Sequence, residues 1–277
     1  MTSRSRSHTV ARVGLHAVLL TVGLAFMFPF IWSISTSLKP FGDLFDVRPS
    51  LIPSEVRWEN YRDVFDSAPF GRFYVNTVIV TAARTLGQVA IASLAAFAFA
   101  QLRFPGRDAL FVLLLSGLMV PDQVLIVPRF VIMRQLGWFD TYQGLIVPLL
   151  FSSFGVFLLR QSFLGIPRDF HEAARLEGAN PFQIYRDIYL PLARPALAAF
   201  AFLAMISSWN DLLWALTVTN RSDMQVLSVG LALFQGQFFT NNAVLLAAAN
   251  MATLPLLVAF LFFQKQLVEG IALTGLK

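Results

Sequence analysis

The chain has 277 residues, of which 56% are hydrophobic and only 13% are charged. Soluble domains carry roughly 45–50% apolar and about 25% charged residues, so this composition indicates a membrane protein. The absence of cysteine excludes disulfides, thiolate metal sites and cysteine nucleophiles, and the three histidines, His8, His16 and His171, lie far apart in the sequence, so we predict no metal site.

Six apolar stretches are long enough to cross a membrane, because a spanning helix needs about 20 mostly apolar residues. In chain order they cover residues 13–33, 73–100, 110–128, 141–159, 195–219 and 242–264. We therefore predict an all-α, polytopic membrane protein with six transmembrane helices. The first stretch follows a basic N-terminus, as in a secretory signal, but it has no small-residue cleavage pattern, so we expect it to stay uncleaved.

The basic residues are distributed unevenly over the loops. If the N-terminus is cytoplasmic, 12 of the 21 Lys and Arg residues lie on that side and eight lie in the outer loops. Five of those eight fall in the long loop 34–72, together with six Asp or Glu residues. Short loops dominate the positive-inside rule, so the bias predicts that both termini are cytoplasmic. The net charge of +5 then reflects membrane topology and not nucleic-acid binding.

A polar loop, residues 165–193, separates the fourth and fifth apolar stretches on the cytoplasmic side. Pro167 suits the first turn of a helix, because its missing N–H would be unsatisfied there anyway. This helix is predicted to run through RDFHEAARLE and to stop at Gly178 in a left-handed conformation. A second helix, PFQIYRDIY, is predicted to follow an Asn180 cap and to end before Pro191, since the residue preceding a proline avoids the α region.

The leading edge of the polar loop combines small and acidic side chains. Ala173 and Ala174 let another surface approach closely, and Glu172 and Glu177 offer charges to it. An amphipathic element lying on lipid headgroups is the simpler interpretation. Two acidic residues, a glycine hinge and modest apolarity argue against it. We interpret the polar loop as a docking element for a cytoplasmic partner protein.

The segment EAARLEGANPFQIYRDIYLPLARPAL resembles the EAA loop of ABC-importer permeases. The residues that match the family pattern are Glu172, Ala173, Ala174, Gly178, Ile188, Leu190 and Pro191. The resemblance implies that the loop forms a coupling helix, which inserts into a cleft of a separate ATP-hydrolysing subunit. The residues implied in this coupling are Glu172, Ala173, Ala174, Glu177, Gly178 and Pro191.

The resemblance extends over nearly the whole chain and is to the second permease of carbohydrate-uptake importers, of the maltose-transporter type. It is carried by SISTSLKP (33–40), LAAFAFAQLRFPGRDALF (94–111), VPDQVLIVPRF (120–130), LGWFDTYQGLIVPLL (136–150), SSWNDLLWALTV (207–218) and the tail KQLVEGIALTGLK. It implies a type I ABC importer permease fold. The implied organisation is a cytoplasmic N-terminus (1–12), a first transmembrane helix (13–33), an extracytoplasmic loop (34–72), a permease core (73–268) and a cytoplasmic tail (269–277).

By this resemblance the chain is one half of the membrane pathway of an importer for a sugar, an oligosaccharide or a related polyol or glycerol phosphate ester. The implied partners are a second permease chain, two ATP-binding subunits, an extracytoplasmic solute-binding protein and membrane lipid, without nucleic acid. The chain lacks a P-loop, so we expect a transport subunit and not an enzyme. ATP and Mg²⁺ are then bound by the partner ATPase, and this chain holds no cofactor. The expected location is the cytoplasmic membrane of a prokaryote.

Arg84 is the twelfth residue of its apolar stretch, about 16 Å into the membrane. Charges at that depth usually face a bundle interior or a watery path. Arg84 either pairs with Asp122 or Asp211, or lines the path and binds sugar hydroxyls or a phosphate, or snorkels to the surface from a misplaced span. Arg84 and Asp122 also stand where the family is expected to have neutral residues. An arginine in the path favours an anionic substrate.

The stretch WNDLLW places Trp209, Asn210 and Asp211 in the middle of the predicted fifth helix. Aromatic faces with amide and carboxylate groups suit a sugar path, because sugar C–H faces stack and hydroxyls form hydrogen bonds. The alternative is helix packing through Asn210 with tryptophan in the core.

Two prolines, Pro121 and Pro128, are expected to kink or break the predicted third helix. Broken backbone at membrane depth is tolerated where it lines a cavity. Asp122 and Gln123 therefore join the candidates for the substrate path.

Other functional classes stay open on the sequence alone. An ion-coupled carrier could use Asp122 and Asp211 as coupling sites, but it gives no reason for the polar loop. A non-transporting scaffold does not explain prolines and polar groups at membrane depth. Within the importer class, the runner-up is a permease for amino acids, peptides or another non-sugar solute.

Overall fold

The computed structural model describes residues 3–45, 50–234 and 241–274, and every regular element in those ranges is helical. The α-helices are α1 (Ser3–Ser37), α2 (Glu59–Ser67), α3 (Phe70–Gln101), α4 (Arg107–Ser116), α5 (Ile126–Gln135), α6 (Tyr142–Ile146), α7 (Ser153–Leu164), α8 (Arg168–Leu176), α9 (Pro181–Ile184), α10 (Leu190–Leu192), α11 (Arg194–Trp209), α12 (Leu213–Val218), α13 (Leu227–Leu233) and α14 (Asn242–Thr274). A π-helical turn, Tyr185–Tyr189, joins α9 to α10. The end of the predicted tail, 275–277, lies outside the described residues.

Three described helices are long and apolar enough to cross a membrane alone, within Gly14–Ser37, Phe70–Gln101 and Asn242–Gln266. Three further pairs pass the same test only together, and each pair is bent: Arg107–Met119 with Asp122–Gln135 by 91°, Tyr142–Leu149 with Ser153–Leu164 by 46°, and Pro181–Leu192 with Arg194–Trp209 by 80°. Counting each bent pair as one span gives up to six spans. The fold is that of a polytopic helical membrane protein. Its third span is broken, as the two prolines predicted, whereas the fourth and fifth spans are not the continuous helices expected.

The break in the third span falls at Pro121, whose backbone is extended, with φ of −60° and ψ of 130°. A short 3-10 turn, Asp122–Leu125, follows it. Pro128 breaks nothing, because it lies in the first turn of α5, where its missing N–H has no intrahelical acceptor to satisfy. Of the two prolines expected to disturb this helix, only the first does so.

The fifth span is also interrupted, since α11 ends at Trp209 and α12 begins at Leu213. The placement of Trp209, Asn210 and Asp211 in mid-helix was therefore wrong. Asp211 Oδ1 accepts a hydrogen bond from the Trp214 N–H at 3.2 Å. Such local side-chain bonds to the backbone compete with helix continuation, and this one supports the start of α12.

Two compact units make up the chain, and the first contains residues 1–68 and 233–252. In this unit the buried amide of Asn60 donates to the carbonyls of Ser37 and Lys39, both at 2.9 Å. The two carbonyls belong to the end of α1 and the residues just after it. Asn60 lies in α2, so these bonds fix α2 against the end of the first helix.

The second unit contains residues 69–232 and 253–277. Here α3 packs along both α7 and α11. The approach of α7 and α11 requires a glycine, because a Cβ added at Gly155 would lie 2.1 Å from the ring of Phe200. Small residues at such crossings let helices approach closely in membranes. The two candidate sites described below are the polar loop, which packs against these helices, and the side chain of Arg84, which lies in α3.

Candidate functional site

The turn of the polar loop is a Schellman motif at the end of α8. The Gly178 N–H donates to the Arg175 carbonyl at 3.1 Å, and the Ala179 N–H donates to the Ala174 carbonyl at 3.0 Å. Gly178 has a φ of +85°, a conformation that residues with a Cβ adopt only at a steric cost. The predicted left-handed glycine is therefore present, and it sets the direction in which the chain leaves α8.

A capping box opens the second helix of the polar loop. The Asn180 side chain accepts the Gln183 N–H at 2.9 Å, and the Gln183 side chain accepts the Asn180 N–H at 2.8 Å. The expectation that this helix ends before Pro191 was wrong. The chain continues through the π-helical turn into α10, which contains Pro191 in its first turn. At that position the missing N–H of a proline is tolerated.

Tyr189 anchors the polar loop in the core and is fully buried. Its ring centroid lies 5.1 Å from that of Phe97 in α3 and 5.5 Å from that of Phe163 in α7. The neighbouring Tyr185 places its hydroxyl 2.7 Å from Ser93 Oγ of α3. The loop is thus attached to two membrane-spanning elements by packing and by a hydrogen bond.

His171 lies inside α8 with its ring 6.0 Å from that of Tyr189. Burial lowers the pKa of His171 below its ordinary value of 6.5; Arg175 and Arg168 lower it further, and Glu172 opposes them. Its Nδ1 atom has no hydrogen-bond partner among the described residues. The imidazole is therefore neutral at pH 7, as its contact with the core requires.

The outer face of the polar loop is open. Glu172, Ala173 and Glu177 are exposed, whereas Ala174 is half-buried against the core. Three apolar side chains of the polar loop that were not among the predicted site residues are also exposed: Phe170, Leu176 and Phe182, by 52%, 90% and 60%. Their signal in the sequence was an apolar residue among charged ones. Three exposed apolar side chains within one short polar loop indicate an interaction site.

A second candidate site is the pair of buried charges between α3 and the end of α11. Arg84 Nη2 donates to Asp211 Oδ2 at 2.8 Å, and Arg84 Nη1 donates to Ser208 Oγ at 3.3 Å. The Arg84 side chain is 4% exposed and that of Asp211 is 20% exposed. Arg84 does not snorkel. Of the two partners that the sequence left open, it pairs with Asp211.

Asp122 belongs to a different pair, with Arg129, at 2.8 Å, and its side chain is 77% exposed. Gln123 is exposed in the same 3-10 turn. Within the described ranges, no hydrogen bond or ion pair connects Asp122 or Gln123 to Arg84 or Asp211. The structure therefore does not join these two candidates to the Arg84–Asp211 pair.

Trp209 and Asn210 adjoin the pair in the chain but differ in exposure. Trp209 is 8% exposed, and its ring lies edge-on to Tyr74 with centroids 6.0 Å apart. Asn210 is exposed, and its amide donates back to the Ile206 carbonyl at 2.9 Å. Trp209 thus packs in the core, and Asn210 caps the end of α11.

Sequence reasoning missed the groups that hold Asp211 in place. Ser208 shares Arg84 with it, and Ser228 Oγ donates to the Asp211 carbonyl at 2.8 Å. Ser208 stands three positions before Asp211, which could have suggested a shared site, but Ser228 carries no comparable signal. Among the described residues, no group of three or more His, Asp or Glu offers ligands for a metal ion.

Comparison with known proteins identifies a family whose profile matches this chain. The profile of the family described as binding-protein-dependent transport system inner membrane component matches residues 88–272. The chain is 32% identical to an arabinooligosaccharides transport system permease protein of Bacillus subtilis (strain 168), with 100% of both chains covered. It is 36% identical to a trehalose transport system permease protein of Mycobacterium tuberculosis (strain CDC 1551 / Oshkosh), covering 93% of this chain and 94% of the relative. It is also 31% identical to an sn-glycerol-3-phosphate transport system permease protein of Pectobacterium atrosepticum, covering 92% and 94%.

Solved structures agree with the fold. A chain of a bacterial ABC transporter involved in the import of the acidic polysaccharide alginate superposes with a TM-score of 0.81 at 26% identity, covering 94% of this chain and 97% of that one. A chain from a complex of an alginate ABC transporter with an alginate pentasaccharide-bound periplasmic protein gives a TM-score of 0.66 at 16% identity, covering 92% and 94%. The fold of this chain is thus similar to that of a known transporter chain.

Proposed function

We propose a function from one premise: the chain belongs to the family of binding-protein-dependent transport system inner membrane components. It is the permease subunit of an ATP-driven importer for a sugar, an oligosaccharide or a related polyol or glycerol phosphate ester. The observation that carries this proposal is the match along the whole chain to permeases named for arabinooligosaccharides, trehalose and sn-glycerol-3-phosphate. A carrier or a scaffold is not favoured, because the chain lies in an importer family.

The polar loop is the proposed docking site for a separate ATPase subunit. Its face offers the carboxylates of Glu172 and Glu177, the small Ala173, and the exposed apolar Leu176 and Phe182. Apolar groups ringed by charges are typical of protein interaction sites. Gly178 and the capping box hold the face in one shape, so little conformational entropy is lost when a partner binds. Ala174 packs against the core behind this face, and Pro191 stays a proposed coupling residue.

Movement of the polar loop can reach the buried charges through α3. Tyr185 holds Ser93, which lies nine residues from Arg84 in the same helix, or about 13 Å at 1.5 Å per residue. The loop also continues through α10 into α11, at whose end Asp211 receives Arg84. A displacement of the loop therefore acts on both partners of the ion pair. We propose that the Arg84–Asp211 pair transmits the closure of the ATPase subunits to the membrane-spanning core.

The substrate path is proposed to pass the break after α11. Interrupted backbone at membrane depth is tolerated where it borders protein or a watery cavity, and the exposed Asn210 lies in this break. Because Asp211 already neutralises Arg84 locally, the pair does not by itself favour an anionic solute. Trp209, Asp122 and Gln123 remain proposed path residues, with a second permease chain completing the path.

The remaining parts of the proposal follow from the family. A solute-binding protein delivers the solute on the outer side, near the loop 34–72, and two ATP-binding subunits act on the inner side, where both termini lie. ATP and Mg²⁺ are held by those subunits, and this chain carries neither. The protein is a multi-pass component of the inner membrane.

Co-purification tests the docking site directly. The tagged chain is expressed with its native neighbours, purified in mild detergent and compared with a Gly178→Asp variant. We expect the wild type to retain an ATP-hydrolysing subunit and the variant to lose it. The matched control is Gly137→Asp, because Gly137 also has a positive φ, of +68°, and open space around it, but lies after α5. If both variants retain the ATPase subunit, docking takes place on another surface.

Uptake tests the solute class. Cells carrying the transporter are given radiolabelled arabinooligosaccharide, trehalose or glycerol 3-phosphate, with ATP depleted or the proton gradient collapsed. We expect uptake of one of these solutes, lost on ATP depletion and abolished by Gly178→Asp but not by Gly137→Asp. Uptake that follows the proton gradient with ATP present would instead indicate an ion-coupled carrier. Uptake of amino acids or peptides alone would keep the importer and overturn the sugar class.

A further inference from the structure

A cavity of about 530 Å³ lies beside the polar loop, and we call it the arginine pocket. It is lined by Arg103, Phe104, Gly106, Arg107, Asp108, Ala109 and Arg168. Three of these residues come from the turn between α3 and α4, three come from the first turn of α4, and Arg168 is the first residue of α8. The arginine pocket is therefore built from two separate parts of the second unit.

The charges in the arginine pocket are only partly compensated. Arg107 pairs with Asp108 at 2.9 Å and also donates to the Leu102 carbonyl at 3.4 Å. Across the ranges described, Arg103 and Arg168 form no ion pair. Three guanidinium groups against one carboxylate leave a net charge of two positive units in a concave site. Guanidinium groups bind phosphate through paired hydrogen bonds and are less strongly hydrated than ammonium groups.

The position of the arginine pocket relative to the membrane restricts what can occupy it. The preceding helix, α3, is a candidate span, and α4 begins the first bent pair. The turn between them therefore lies at a membrane surface, at the level of phospholipid headgroups. Arg168 places it on the same side as the polar loop. Basic pockets between membrane helices on the cytoplasmic side are typical sites for anionic lipid headgroups.

The first turns of α4 supply an apolar surface next to the charges. Leu110, Val112 and Leu113 are 50%, 65% and 67% exposed in this chain. Leu110 follows directly after Ala109, which lines the pocket, and the other two lie within the next three residues. An acyl chain attached to a phosphate in the pocket can lie along these side chains. A free phosphate would gain nothing from them, so a lipid is the better fit.

We propose that the arginine pocket binds the phosphate group of an anionic phospholipid, with Arg103 and Arg168 as its principal ligands and the exposed face of α4 along its acyl chain. Because Arg168 opens α8, the bound headgroup bridges the α3–α4 turn and the docking element. This lipid site goes beyond the transport function, and it is independent of the solute carried.

Lipid binding is measured on the chain purified from membranes with the subunits that accompany it. The complex is placed in phosphatidylcholine nanodiscs, and fluorescent phosphatidylglycerol is added as the probe. The test variant is Arg103→Gln/Arg168→Gln. The control is Arg175→Gln, because Arg175 is an exposed arginine of α8 that does not line the pocket. Inorganic phosphate in excess is the competing arm, and size-exclusion chromatography checks that each variant assembles.

We expect the double variant to bind phosphatidylglycerol about thirtyfold more weakly, since each surface arginine contributes about fivefold. Binding by Arg175→Gln should equal that of the wild type, and inorganic phosphate should not displace the lipid. Equal binding by all three proteins would overturn the site. Displacement of phosphatidylglycerol by inorganic phosphate would assign the pocket to a soluble anion, and would overturn the lipid proposal.

A variant that fails to assemble is replaced by Arg103→Lys/Arg168→Lys. This change keeps the charges and removes the paired hydrogen-bonding geometry. We expect an intermediate loss of lipid binding. If the lysine variant binds the lipid as the wild type does but loses the ATPase subunit, the two arginines serve the partner protein, and the proposal is overturned.

Discussion

Replacing Asp211 by Asn is expected to destabilise the protein, because it leaves the cation of Arg84 buried without a counter-charge. The Arg84 side chain is 4% exposed, so water cannot take over the role of the carboxylate. Breaking a buried pair by removing one partner costs about 3–5 kcal/mol. Asp211 is 20% exposed, and asparagine keeps an acceptor for the Trp214 N–H, so we expect a loss of about 2–3 kcal/mol.

The double variant Arg84→Met/Asp211→Asn removes the uncompensated charge as well. Replacing a buried ion pair by groups of similar volume is often neutral, so its stability is expected within about 1 kcal/mol of the wild type. Thermal unfolding of the detergent-purified complex measures both effects, and the single variant should lower the Tm by about 5–10 °C. A double-mutant cycle then gives the coupling between the two residues.

The Asp122–Arg129 pair is the comparison, because its carboxylate is far more exposed than that of Asp211: the Asp122 side chain is 77% exposed and that of Arg129 is 23% exposed. Asp122→Asn is expected to change stability by less than about 1 kcal/mol. Additive effects in the Arg84–Asp211 cycle, or an Asp211→Asn loss no larger than that of the control, would refute the reasoning that buried charge is the cause.

Three further changes test the polar loop and its support. Gly178→Ala strains a φ of +85° where no atom obstructs a Cβ, so it should cost about 1 kcal/mol and reduce ATPase retention about fivefold. Gly155→Ala drives a Cβ into Phe200, so the complex should lose about 1–3 kcal/mol in thermal unfolding, recovered in part by Phe200→Leu. Because the pKa of His171 is lowered in the folded protein, protonation of its ring opposes folding, so the stability that the neutral ring contributes is complete above the ordinary pKa of 6.5 and is lost as the pH falls below it. The protection factors of the α8 amides, which are corrected for the pH dependence of intrinsic exchange, should therefore fall in acid.

Each of these changes has a control in the chain. Gly137→Ala imposes a similar positive-φ strain away from the polar loop and should leave ATPase retention unchanged. Gly71→Ala adds a Cβ to open space in a helix, so a loss like that at Gly155 would contradict the packing explanation. His171→Gln should make the protection factors of the α8 amides independent of pH in this range, and a persisting fall in acid would assign the titration to another group.

The features that the sequence predicts correctly depend on near neighbours. The left-handed glycine and the Asn180 cap of the polar loop follow from backbone sterics and from donors within three residues. The apolar stretches also predict the membrane spans, because their length is set by the bilayer. These rules need no knowledge of the tertiary fold.

What the sequence does not predict depends on contacts between distant residues. The break after α11 is stabilised at Asp211, whose partner Arg84 is 127 positions away. The helix that was expected to stop before Pro191 continues because Tyr189 is fully buried between α3 and α7. Local sequence propensity cannot predict either the break or the continued helix, because both depend on contacts that α3 makes with distant residues.

The π-helical turn at Tyr185–Tyr189 also bears on the rotational register of the helices on either side of it. A π turn is equivalent to one residue inserted into an α-helix, absorbed locally as a bulge. Without the bulge, the extra residue would rotate α10 by about 100° about the helix axis relative to α9. The bulge therefore absorbs the extra residue locally, so that the faces of α9 and α10 keep the rotational register they would have without it.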